Sequence, residues 1–313
     1  MEEREPPTPL TPGSVDGVLG LTEVEPSPVD ETPLEGSKDY FPSQSSSSTP
    51  GHPRTSILGL GNHGPAYYLT RIQRYSSYAF TVFASLHITN TSILPLLTRS
   101  VRASESYLLL TRPYYQSALT EPLFVVLPLA AHMTSGIALR LYRRSQALQH
   151  YGAETRRDRK HIPWPVLSGT STLGYALAPL LVFHFWTTRI LPTYLHGDSA
   201  LINLSYISHG FTLHPVVSFA GFTALVGVGA WHIVWGWARW LKLAPSQVGA
   251  VGAQGQMMKK RRWYGVNAVS ALVAGLWLAG GLGVVGRGGK TSGWIGREFD
   301  ELFRYVPVLG RWD

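Results

Sequence analysis

Four histidines lie inside long apolar runs of the sequence, where an ionisable side chain is costly. They are His87 in FASLHITNT, His132 in LPLAAHMTSG, His184 in LLVFHFWTT and His232 in VGAWHIVWG. A single histidine in such a run is more often a hydrogen-bonded packing residue than a ligand. Four of them, one in each of four runs, favour a set of ligands for a cofactor.

The positions of these histidines within their runs predict two levels. If the runs are helices that rise about 1.5 Å per residue, His132 and His232 lie roughly 10 to 12 Å from one edge of a bilayer, and His87 and His184 roughly 12 to 15 Å from the other edge. Imidazole is an axial ligand of haem iron, and helical bundles hold cofactors between facing helices. The pattern therefore predicts up to two b-type haems, each bound through its iron by one pair.

The residue types give little support to cysteine chemistry, ion transport or catalysis. The chain has no cysteine, which excludes disulfides, thiolate zinc sites and cysteine nucleophiles. His196, His209 and His214 fall in one connection between runs, and we predict that they are solvated, the alternative being a metal site. No carboxylate lies inside a run, which disfavours proton pumps and cation-coupled transporters. We predict no catalytic residue and no enzymatic activity.

Five apolar runs are long enough to cross a hydrocarbon core of about 30 Å, which takes roughly twenty helical residues. They are Tyr75 to Leu97, Glu121 to Tyr142, Val166 to Leu191, Pro215 to Trp240 and Trp263 to Val285. A membrane β-barrel would show short alternating segments instead. The sequence predicts an all-α fold, a polytopic bundle of five transmembrane helices within residues 69–290. The alternative is a soluble protein with five buried helices.

Both ends of the chain differ from the bundle. Residues 1–60 are acidic and rich in Pro and Ser, which predicts a disordered tail. The tail begins MEEREPP, which has the features of neither a secretory signal nor a transit peptide, so we expect an internal targeting signal. Residues 291–313 contain REFDELFRYV, which places Phe299, Leu302, Phe303 and Val306 on one helical face. That face is predicted either to lie on the membrane surface or to pack against the bundle.

The charges of the connections predict an orientation. Lys and Arg are concentrated after the second run and after the fourth run, and the other two connections carry few. The positive-inside rule places the basic connections, and with them the N-terminal tail, in the cytosol. The basic body is expected to face a lipid bilayer, and no nucleic-acid partner is predicted.

Two resemblances follow from these features. The segment HMTSG in the second run is similar to the ligand-bearing helix of the dihaem cytochrome b membrane anchor of succinate dehydrogenase and fumarate reductase. The five runs, the acidic tail and TRIQRYSSYAF at the first run resemble the fungal mitochondrial outer-membrane adapter family of the Mdm-ten complementing protein. The resemblance implies a four-helix, cytochrome-b-like core plus one helix, placed in the mitochondrial outer membrane with a cytosolic N-terminus.

The resemblance to the adapter family also implies a partner. That family recruits a bridge-like lipid-transfer protein, vacuolar protein sorting protein thirteen, through a cytosolic motif with two prolines one residue apart. In LTEVEPSPVD this motif corresponds to Leu21, Val24, Pro26 and Pro28, and Pro7 with Pro9 form a second proline pair. The expected function is an adapter at organelle contact sites that supports mitochondrial lipid homeostasis. The alternatives are a haem b-binding redox anchor and lipid scrambling by the bundle.

Overall fold

The computed structural model describes residues 63–306, and within that range it contains helices and no strand. The all-α prediction is therefore confirmed for this part of the chain. The predicted tail of residues 1–60, with Leu21, Val24, Pro26 and Pro28 and the pair Pro7 and Pro9, lies outside the described residues.

The first half of the bundle contains two long helical stretches joined by a shorter helix. Helix α1 covers Pro65–Ile88 and continues through a π-helical segment, Thr89–Ile93, into α2, Leu94–Thr98. Helix α3 covers Val101–Gln116, and its first turn is capped by the Ser100 hydroxyl, which accepts a hydrogen bond from the Ala103 amide. A second π-helical segment, Pro122–Val126, leads into α4, Leu127–His150.

The next helices follow the same order of long, short and long. A short helix α5, Arg156–His161, precedes α6, Gly169–Phe185, which continues through a third π-helical segment, Trp186–Ile190, into α7, Leu191–His196. Gly197 ends α7 in the left-handed conformation with φ 83°. Helix α8, Leu204–Leu213, is capped by Asn203, and α9 covers Pro215–Trp240.

The chain ends with a long helix and a short amphipathic one. After the 3₁₀ turn Pro245–Gln247, helix α10 covers Gly252–Gly288 and α11 covers Gly293–Arg304. Helix α10 packs against α9 and against Thr89–Ile93. Gly280 permits the second contact, because a Cβ at this position would collide with the Ser92 backbone.

Four helical stretches are long and apolar enough to cross a membrane: Pro65–Thr98, Pro122–His150, Pro215–Gln247 and Gly252–Gly288. The first and last begin before the predicted Tyr75 and Trp263, and the second extends beyond Tyr142. The predicted run Val166 to Leu191 is helical from Gly169, but it is not among the four, since Pro179, His184 and Arg189 lower its mean hydropathy. The fifth span remains a prediction.

The two basic connections lie at one end of the bundle. Arg239, near the end of α9, donates a hydrogen bond to the hydroxyl of Ser168, which caps α6, at 3.1 Å. The guanidinium of Arg74, in α1, lies 5.8 Å from the ring of Trp240. Buried Arg144 donates to three carbonyls, those of Arg159, Ile162 and Pro163, which holds the connection after α4 in place. We call this end of the bundle the basic end.

A cap of helices α3, α8 and α11 covers the opposite end of the bundle. Arg189 forms a bidentate ion pair with Glu121, and Arg112 donates to the carbonyl of Ser199 at 2.7 Å. Glu105 accepts hydrogen bonds from the amide and the hydroxyl of Ser205 in α8. These contacts hold in place the connections between the apolar runs, for which the sequence predicted no helix.

Helix α11 packs against α7 and α8. The face predicted from the sequence is buried against Tyr206 and Ile202, its members being Phe299, Leu302, Phe303 and Val306. Of the two placements predicted for this face, the structure has the packed one. Burial raises the pKa of the Tyr206 hydroxyl, which therefore stays protonated and donates to the Thr187 carbonyl at 3.1 Å.

His209 is fully buried, and the prediction that it is solvated is wrong. Its Nε2 donates to Asp300 at 3.0 Å, and its Nδ1 accepts a hydrogen bond from the Thr291 amide at 3.1 Å. The burial arises because α11 folds back over α8 and brings Phe299 and Phe303 onto the imidazole. His196 is exposed and His214 is partly buried.

Asp300→Asn should loosen the docking of α11. The substitution removes the charge from a hydrogen bond to buried His209, which we expect to cost about 1 kcal/mol, equivalent to a roughly fivefold rise in local opening. Hydrogen exchange of the α11 amides measures this opening. Glu301→Gln is the matched control, because Glu301 lies next to Asp300 and is exposed. Equal exchange in both variants would contradict the role of Asp300.

Candidate functional site

The structure brings the four predicted histidines together as two pairs. The ring centroids of His132 and His232 are 6.1 Å apart, and the planes of the rings lie at 81°. The centroids of His87 and His184 are 5.9 Å apart, with the planes at 66°. Each pair joins one helix of the α1 and α4 stretch to one helix of the α6 and α9 stretch.

Backbone carbonyls orient the first pair. Nδ1 of His132 lies 3.1 Å from the carbonyl oxygen of Gln73 in α1, and Nδ1 of His232 lies 3.0 Å from the carbonyl oxygen of Thr170 in α6. A carbonyl can only accept, so each Nδ1 carries the proton and each Nε2 keeps its lone pair. Histidines that bind metals are commonly held in this way by their second nitrogen. The arrangement leaves two Nε2 atoms as potential ligands.

The second pair lies beside the π-helical segments. His87 and His184 each precede such a segment by two residues. The Thr91 hydroxyl donates to the carbonyl of His87 at 2.7 Å, and the Thr188 hydroxyl donates to that of His184 at 2.6 Å. The two imidazoles contact each other, the ring of His87 also stacks on Phe83, and neither imidazole makes a hydrogen bond within residues 63–306. The structure therefore orients this pair less strongly than the first.

The separation within each pair fits one metal ion bound between the two rings. Imidazole nitrogens bind metals at about 2 Å, so two nitrogens on opposite sides of one ion lie about 4 Å apart and the ring centroids roughly 6 Å apart. Both measured separations agree with this value. No group of three or more potential metal ligands occurs in the described part of the chain. A pair suits haem iron, which takes its remaining ligands from the macrocycle.

Gly174 allows His232 to approach α6. A Cβ at position 174 would lie 2.9 Å from Cε1 of His232, which is closer than real Cβ contacts. By contrast, a Cβ at Gly227 would have no heavy atom within 4 Å. The ring of His232, with its hydrogen bond to Thr170, therefore depends on the missing side chain at position 174.

Gly174→Ala should destabilise the protein relative to Gly227→Ala. Both substitutions gain helix propensity of up to about 1 kcal/mol, but the new methyl group at 174 must displace the imidazole, at a cost of about 1 to 3 kcal/mol. Because the gain in propensity is common to both variants, we expect a difference of about 1 to 3 kcal/mol in the free energy of unfolding. Thermal unfolding of the purified variants in mild detergent measures it. A Gly174→Ala variant as stable as Gly227→Ala would show that the approach is not tight.

Sequence reasoning found the four histidines but missed the groups that orient them. Gln73 and Thr170 act through backbone carbonyls, which every residue type has, so composition carries no sign of them.

The length and apolar character of four helices define a multi-pass α-helical membrane protein. Residues 179–290 match the family model described as MDM10-complementing protein 1, transmembrane domain. The matched segment contains His184, His232 and the whole of α10. No curated protein matches the chain, and no solved structure does either. The likeness to the cytochrome b anchor therefore remains a prediction.

Proposed function

We propose that this chain is a mitochondrial outer-membrane adapter of the MDM10-complementing protein 1 type. In this proposal it recruits a bridge-like lipid-transfer protein, vacuolar protein sorting protein thirteen, to organelle contact sites and so supports mitochondrial lipid homeostasis. The observation that carries the proposal is the match of residues 179–290 to the transmembrane domain of that family.

The proposed recruiting element is the acidic tail. It precedes α1, and the first turns of α1 lie at the basic end, where Arg74 reaches Trp240. The positive-inside rule would place this end in the cytosol, where a soluble lipid-transfer protein can reach the tail. Pro26 and Pro28 fix φ at alternate positions, so an extended segment would lose little entropy on pairing with an exposed strand edge.

Membrane topology tests the proposal at its first step. Protease added to intact mitochondria should remove a tag at the N-terminus of the chain and spare a tag at its C-terminus, because the five predicted spans would place the two termini on opposite sides of the membrane. Immunoblotting before and after rupture of the outer membrane measures the protection. A protected N-terminal tag would invert the orientation and contradict the adapter function.

Recruitment tests the second step. The lipid-transfer protein should accumulate at mitochondria in cells that express the tagged chain and should be dispersed in cells that lack it. Fluorescence microscopy of both proteins in the same cells measures this. A normal distribution of the partner in the absence of the chain would contradict the proposal.

A haem b-binding redox membrane anchor is the second candidate function. The separations within the two histidine pairs support it, as do the Nδ1 hydrogen bonds of His132 and His232. Haem b would supply one-electron transfer. The residues of the chain would bind and orient it, His132 with His232 near the basic end and His87 with His184 nearer the cap. The resemblance to the cytochrome b anchor points in the same direction.

A further inference from the structure

The two halves of the bundle repeat the same sequence pattern. HITNTSILP at residues 87–95 and HFWTTRILP at residues 184–192 share a histidine, a threonine four positions later and the ending Ile-Leu-Pro. HMTSGIA at residues 132–138 and HIVWGWA at residues 232–238 share a histidine, a glycine and an alanine at equal spacing. The α1 and α4 stretch and the α6 and α9 stretch are therefore two copies of one helix pair.

The structure repeats along with the sequence. The π-helical segments Thr89–Ile93 and Trp186–Ile190 begin at the same distance after His87 and His184. Gln73 and Thr170, which orient the other two histidines, stand at the same distance before His87 and His184. Each histidine pair thus joins equivalent positions of the two copies, as expected for parallel repeats related by a local two-fold axis along the bundle.

The two copies pack more closely within themselves than against each other. Helix α1 lies along α4, and α6 lies along α9, whereas no comparably close helix pair joins the copies in the described part of the chain. Two lateral seams therefore separate the copies, one between α1 and α9 and an equivalent one between α4 and α6.

Aromatic side chains close the seam between α1 and α9. Trp237 stacks on Tyr78 with the centroids 4.9 Å apart, and its indole N–H donates to the Thr81 hydroxyl at 3.3 Å. Arg74 adds its contact with Trp240. Helix α10 packs beside this seam, against α9 on one side and Thr89–Ile93 on the other.

The seam between α4 and α6 lacks these contacts. The positions equivalent to Trp237, Tyr78 and Thr81 are Ile137, Tyr175 and Ala178. Ile137 is 45% exposed and Tyr175 is 45% exposed. Within residues 63–306, Tyr175 makes no ring contact or side-chain hydrogen bond, and α10 occupies the other seam.

We infer that the seam between α4 and α6 is a lateral entrance through which a planar amphipathic ligand of the haem class passes from the bilayer to the His132 and His232 pair. The inference rests on the proposed haem site and adds the route to it. The apolar face of such a ligand suits a seam that opens to lipid. Arg140, further along α4 toward the basic end, donates to the Pro165 carbonyl at 3.1 Å, and its guanidinium lies 5.5 Å from the centre of the Trp164 ring, so a cation stands at this end of the seam.

A single substitution should close the entrance. Ile137→Trp copies the residue that fills the other seam, and haem uptake should become at least about tenfold slower while the final amount bound stays unchanged. The experiment mixes the full chain, free of haem and reconstituted in nanodiscs, with liposomes that carry haem b, and follows the Soret band with time. Trp237→Ile is the matched control, and its uptake rate should not fall.

A second measurement needs no haem. Since the natural chain has no cysteine, Ala178→Cys and the equivalent Thr81→Cys can each carry one spin label. The label at 178 should be relaxed more strongly by oxygen dissolved in the bilayer than the label at 81. Equal oxygen accessibility, or equal uptake rates in the wild type and Ile137→Trp, would overturn the entrance alone. A wild-type chain that is folded and binds no haem would overturn the haem proposal and the entrance with it.

Discussion

His132→Ala should remove about half of the haem bound per chain and leave the haem at His87 and His184. The variant deletes one of the two imidazoles that would hold the iron, while the hydrogen bond from His232 to Thr170 is retained. Loss of groups that only orient a ligand weakens metal binding by 10- to 100-fold, so loss of the ligand itself should exceed about 100-fold. A reduced-minus-oxidised spectrum, with haem measured per mole of protein, tests the expectation.

The control is a single His→Ala substitution at a histidine that belongs to neither pair. His161→Ala removes an exposed histidine in α5 and should leave the spectrum unchanged. A His132→Ala spectrum equal to that of the wild type would show that the pair does not hold iron. A flat Soret and α-band region in folded wild-type protein, expressed with haem supplied, would remove the cofactor proposal altogether. The adapter proposal would survive that result, because it depends on the tail.

The sequence predicted the apolar part of the fold better than its ends. Helix α9 has the predicted bounds, because Pro215 and Trp240 mark an unbroken apolar run. Helix α1 begins at Pro65, earlier than predicted, since its first turns carry Arg71 and Arg74 and show no apolar run. Helices α3, α8 and α11 form a cap whose contacts, such as that between Glu105 and Ser205, join residues far apart in the chain. A hydrophobic run predicts the length of a helix and its burial, but it does not predict which distant residues will contact each other.

Part of the candidate site could also be predicted from the sequence, and part of it could not. The pairing of the histidines could be predicted because the rise per residue of a helix is constant, so positions within a run translate into depth. His209 could not be placed, since its burial depends on Phe299 and Phe303 in a helix distant in sequence. The exposure of Ile137 could not be predicted either, because it depends on which seam α10 covers.

Replacing Pro26 and Pro28 together with alanine should abolish recruitment of the lipid-transfer protein and leave the chain in its membrane. The change frees two φ angles and adds two amide hydrogens, and it lies outside residues 63–306, which contain the bundle. If each position contributes about 1 kcal/mol or slightly more, binding weakens by about 2 to 3 kcal/mol, or roughly thirty- to two-hundredfold. Colocalisation in cells, with a binding titration of the tail peptide, measures the loss.

The second proline pair of the tail provides the matched control. Pro7→Ala with Pro9→Ala makes the same chemical change at the same spacing, but without the apolar residues Leu21 and Val24 that precede the first pair. Recruitment should therefore remain normal in this control. If it fails here and persists in the Pro26 and Pro28 variant, the recruiting motif is the other pair and the adapter function stands. If both variants recruit normally, the adapter proposal loses its mechanism, and the two histidine pairs make the haem-bearing redox anchor the better explanation of this chain.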